Sequence, residues 1–89
     1  MSASVRARAW LATRREGVPD SLWVRATAAL DPTTDAGTVP DVFRECAMRL
    51  QRRLGTDHDD PLDVLAADAL ITYYCEALAE LAPERLAGA

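Results

Sequence analysis

The residues richest in chemistry are Asp57-His58-Asp59-Asp60-Pro61-Leu62-Asp63, a run that holds an Asp-Asp-x-x-Asp pattern and the only histidine. Carboxylates at this spacing can offer hard oxygen ligands to Mg²⁺, which bridges in turn to the phosphate oxygens of a substrate. Asp59, Asp60 and Asp63 are therefore the metal candidates. The same residues also spell a helix start: Asp60 suits an N-cap, Pro61 the first helical position, and Asp63 the first turn, where negative charge meets the positive end of the dipole. Capping needs no ligand and is the preferred reading of all three aspartates, with His58 an exposed residue of the turn.

Asp68, Thr72, Glu76 and Glu80 recur every fourth residue and so fall in one line along a helix. Inward carboxylates on bundle helices can build a dimetal site, but that chemistry needs Glu-x-x-His pairs on neighbouring helices, and the sequence has none. Like charges four residues apart repel, so this line is expected to face water or arginines such as Arg44, Arg49 or Arg52. Cys46 and Cys75 lack partner ligands at metal spacing and are expected to be buried thiols. No nucleophile sits beside a base and no Gly-rich phosphate loop occurs. No catalytic residue is assigned, and no cofactor is expected.

The aspartates together with the stretch Leu65-Ala66-Ala67-Asp68-Ala69-Leu70-Ile71-Thr72 through Glu80 resemble the first aspartate-rich motif and following helix of isoprenyl diphosphate synthases. That resemblance implies an all-helical fold in which magnesium, held by two aspartate-rich motifs, helps to ionise an allylic diphosphate. Asp59, Asp60 and Asp63 would take the metal-holding role. It covers about a quarter of the chain. The pattern departs from the family in three ways: the aspartates open the helix instead of closing the one before, no Arg-Arg-Gly follows, and no second aspartate-rich motif exists. With 89 residues, the chain is also expected to be too short to enclose a prenyl substrate. A magnesium-dependent diphosphate binder is the alternative reading.

Four elements would position these groups. Val5, Ala9 and Ala12 mark a weak helical face over 3–16, closed by Gly17. Pro19 and Asp20 open a second helix, 20–30, with Leu22, Trp23, Ala26, Ala29 and Leu30 as its apolar arc; Asp31-Pro32 ends it. A turn-rich stretch, DPTTDAG, leads to Thr38 as an N-cap. Phe43, Cys46, Ala47, Leu50 and Leu54 then give the cleanest amphipathic stripe, in a helix over 39–54. The last helix, 60–82, is apolar around most of its circumference apart from the acidic line, so it must be covered on several sides. Residues 83–89 read as a short, partly frayed tail.

Composition narrows the function classes. Hydrophobic residues make up 49% and charged residues 27% of the chain, which suits a folded domain. The net charge of −4 conceals a split: residues 1–54 carry nine Arg against six acids, and residues 55–89 carry one Arg against eight. Pairing between the halves, within or between subunits, is the expected use of that split. The acidic total disfavours nucleic acid as a partner. Asp68, Glu76 and Glu80 interrupt the longest apolar stretch, so no membrane span is expected, and no secretory signal is read at the start.

The sequence thus predicts an all-α, small four-helix bundle-like domain spanning 1–89, with a long central C-terminal helix. It is expected to be a small interaction or regulatory protein of a bacterial-type cytoplasm, acting as a homodimer or with a protein partner. Tyr73, Tyr74, Trp10 and Trp23 are the candidate interface residues.

Overall fold

A computed structural model describes residues 2–30, 36–54 and 61–87. These form five helices: α1 Ala3–Ala12, α2 Asp20–Ala28, α3 Val39–Arg53, α4 Pro61–Leu81 and α5 Pro83–Ala87. The fold is all-α, with no strand among the described residues. The radius of gyration, 12.8 Å, is close to the roughly 12 Å of a compact chain of this length.

The ends of the helices follow from local backbone chemistry. The Ser2 hydroxyl caps α1 by accepting from the Val5 amide at 3.2 Å. At the other end the Thr13 hydroxyl donates to the Trp10 carbonyl at 2.6 Å, and the Arg14 amide donates to Leu11 at 2.8 Å. This shorter pattern tightens and closes the last turn, so α1 stops at Ala12 rather than at 16. Gly17, at φ 84°, lies in the left-handed region and bends the connection to α2.

Pro19 stands at the N-cap of α2, one place earlier than its sequence suggests, and its carbonyl accepts from the Trp23 amide at 2.9 Å. Thr38 caps α3 as expected, accepting from the Asp41 amide at 3.3 Å. At the far end of α4 the Ala82 amide still reaches the Leu78 carbonyl at 2.9 Å. Pro83 has no N–H to continue the ladder and is suited to start a new helix, so residues 83–87 form α5 instead of a frayed tail.

α4 packs chiefly against α3, then against α2 and α5, while α1 lies on α3. Burial in α3 follows its stripe: Val42, Phe43, Cys46, Ala47 and Leu50 are all inside. The expected face of α1 is the wrong one. Ala3, Ser4, Ala7 and Leu11 are buried, and Val5, Ala9 and Ala12 are outside. Alanines define a face weakly, and the larger apolar areas of Leu11 and Trp10 decide the rotation. Trp10, Phe43 and Tyr73 meet at the centre, with ring centroids 5.3 Å apart for Trp10 and Phe43, 6.1 Å for Phe43 and Tyr73, and 6.3 Å for Trp10 and Tyr73. The tilted and edge-on arrangements suit the ring quadrupoles and fasten α1, α3 and α4 together.

Candidate interaction surface

Among the metal candidates only Asp63 falls within the described residues; Asp59, Asp60 and the neighbouring His58 lie outside them. Asp63 sits in the first turn of α4 and accepts from Arg25 Nη1 at 2.7 Å, tying α4 to α2. Its carboxylate thus complements both the helix dipole and a cation from the basic half of the chain. Among the described residues no three histidine, cysteine or acidic side chains gather where a metal could be held.

The acidic line on α4 faces outward at all four positions. Among the described residues the cation that pairs with its Glu76 and Glu80 is Arg14, which follows α1. Arg14 pairs with Glu76 at 3.5 Å and with Glu80, while its guanidinium stacks 4.0 Å from the Trp10 ring centroid. One cation thus offsets two like charges a turn apart. The charge split is therefore used inside the chain, through Arg14 and Arg25. Arg15 adds a local pair with Asp20, donates to the Val18 carbonyl at 2.8 Å and lies over Trp23.

The four interface candidates divide. Tyr73 is buried against Trp10 and Phe43, so it is committed to the core of its own chain rather than offered to a partner. Burial, then the neighbouring Glu76, push its phenol above the ordinary tyrosine range. Tyr74, Trp10 and Trp23 are half-buried and pack against the core. The periodicity of α4 could not rank its faces, because apolar residues lie almost all round it. The two cysteines also separate: Cys46 is buried, as expected, but Cys75 is exposed, and neither is in a disulfide.

The surface that sequence reasoning missed is the outer side of the seam between α3 and α4. Val64, Leu65 and Ile71 are 47%, 52% and 38% exposed, although each would fit a core. With Leu54 and Gln51 of the α3 end they line a groove of about 300 Å³. The exposed small residues Cys75 and Ala79 continue the strip along α4. Asp68 and Thr72 lie on its α4 side; Arg44, Met48 and Arg52 are exposed on the outer side of α3. The usable signal was the i, i+7, i+11 spacing of Val64, Ile71 and Cys75, which the acidic line overshadowed.

A second concavity, of about 540 Å³, lies where α1, the start of α3 and the α4–α5 turn converge. Trp10, Val39, Pro40 and Leu81 give it apolar walls; Arg6, Arg85 and Glu84 give it charge. Arg85 donates to Asp41 at 3.0 Å, and Asp41 also accepts from the Thr38 hydroxyl at 2.8 Å. Burial alone would raise the Asp41 carboxyl, but the bonds from Thr38 and Arg85 and the charges of Arg85 and Arg44 outweigh it and hold the group below the ordinary carboxylate range.

Compared with family models, with curated proteins and with solved structures, the chain matches none. No helix among the described residues is long and apolar enough to cross a membrane.

Proposed function

We propose that the protein is a small interaction or regulatory module of a bacterial cytoplasm that works as a homodimer, with the α3–α4 seam as its two-fold interface. The observation carrying this reading is the apolar strip of exposed Val64, Leu65 and Ile71 beside half-buried Leu54, on a helix whose Leu70, Tyr73 and Leu78 already fill the core of its own chain. Contiguous apolar surface rimmed by polar residues is the kind that serves as a contact.

A second copy fits the strip by charge. Arginines flank it on the α3 side and Asp68 on the α4 side. A two-fold axis along the seam lays the arginine edge of each copy over the acidic edge of the other, so the patch is self-complementary. Stable dimers bury about 800 Å² per partner, so the contact extends from α4 across Leu54 to the outer side of α3. A reducing compartment suits two cysteines outside any disulfide.

Sedimentation velocity on the wild type and on Ile71→Glu tests the proposal. The wild type should sediment as a dimer at micromolar concentration and the variant as a folded monomer. Wild-type protein that stays monomeric at several hundred micromolar would sink the reading.

A further inference from the structure

The concavity beside Trp10 lies apart from the α3–α4 strip and does not depend on the dimer. We infer that it is a binding site for a monocarboxylate with an apolar body, an aliphatic or aryl acid, whose carboxylate pairs with Arg6 while its body lies against Trp10, Val39, Pro40 and Leu81.

Three observations converge. The first is size: about 540 Å³ falls within the range of about 300–1,000 Å³ typical of small-molecule sites. The second is composition. Apolar residues from three separate segments form walls that burial can use to drive binding, and the polar side chains Arg6, Thr38, Glu84 and Arg85 stand at its edges to orient a ligand.

The third is charge. The lining carries Arg6, Arg85 and Glu84, and the Asp41 carboxylate beside it offsets Arg85, so Arg6 is the cation left to meet a single carboxylate. The two arginines are not equivalent. Arg85 is engaged by Asp41 at 3.0 Å, whereas among the described residues the Arg6 guanidinium has only a long contact, 3.5 Å, from Nη2 to the Gly37 carbonyl, at the outer limit of hydrogen bonding. Arg6 therefore keeps a planar fork of donors that a carboxylate can meet with two parallel bonds.

The test is a titration of the full chain followed by amide and indole NMR resonances, with octanoate and 2-naphthoate as probes and 1-octanol as the neutral control. Saturable shifts at Gly37, Thr38, Ala82 and the Trp10 indole with either acid are expected. Octanoate alone would identify a flexible aliphatic body, naphthoate alone an aryl one. Arg6 is exposed, so Arg6→Ala should leave the spectrum of the unliganded protein folded while weakening binding at least tenfold, and Arg6→Lys should recover part of the loss. The inference is overturned if neither acid shifts these resonances at 5 mM, if 1-octanol binds as tightly as octanoate, or if Arg6→Ala binds like the wild type.

Discussion

The outer faces of α3 and α4 belong to neighbouring helices of one seam and differ in how much apolar surface they leave beside their charges. The outside of α3 carries Arg44, Gln51 and Arg52 around Met48, as a solvated face should, and its inside is Phe43, Cys46, Ala47 and Leu50. The outside of α4 carries Val64, Leu65 and Ile71, which differ little in type from Leu70 and Leu78 inside. In α3 the pattern of side chains alone determines which way the helix faces. In α4 the pattern leaves the choice to its neighbours, and the face they leave uncovered remains capable of making another contact.

The largest test of that contrast is Phe43→Ala. It removes a fully buried ring that touches both Trp10 and Tyr73, and it should cost roughly 3–5 kcal/mol in urea unfolding, enough to leave a domain of this size marginal. A loss below about 1 kcal/mol would mean that the aromatic cluster does not hold the three helices together.

Ile71→Glu is the counterpart on the other side of the seam. It should weaken self-association at least about tenfold, roughly 1.4 kcal/mol, and leave far-UV dichroism unchanged. If the variant unfolds instead, Ile71 belongs to the core and the two faces of α4 are alike.

The legibility of the molecule follows the same division. The limits of α3 could be read from Thr38, from the stripe of Phe43 to Leu54 and from the terminal arginines, because capping, periodicity and charge agree there. α1 was legible as a helix but not in rotation, since Ala3, Ala7, Ala9 and Ala12 differ too little to favour a face. Tyr73 was placed outside because no local rule distinguishes it from Tyr74; only the arrival of Trp10 and Phe43 from other helices decides it. The partner of Glu76 and Glu80 could not be found from spacing, because Arg14 lies more than sixty residues away. The Trp10 concavity joins three distant segments, and nothing in their separate sequences predicts that they meet.

A smaller effect sharpens the α3 side. Thr38→Ala removes the cap and the hydroxyl that bonds Asp41, and should cost about 1 kcal/mol, measured by chemical unfolding. The cost should shrink in an Asp41→Asn background, because the two groups act as a pair.

The pH limits are the finest probe, and they differ in sign across the seam. Asp41 on α3 has its folded value depressed, so its contribution is present above the ordinary carboxylate range near 3.9 and is lost as pH falls through the lower folded value. Tyr73 on α4 is raised, so its contribution is present below about pH 10 and is lost as pH rises through the higher folded value. Melting temperatures across pH should decline at both extremes; Asp41→Asn should flatten the acid limb and Tyr73→Phe the alkaline one. An unchanged limb in either variant removes that residue from the account.

Asp41 has one more consequence. Its carboxylate takes a bond from the residue that opens α3 and another from Arg85, just beyond the proline break that ends α4. Two stretches more than forty positions apart are thereby buckled to a single small group, so loosening either should release both. Helix termini usually fray independently; these two share a hold, so fraying of one should be felt at the other.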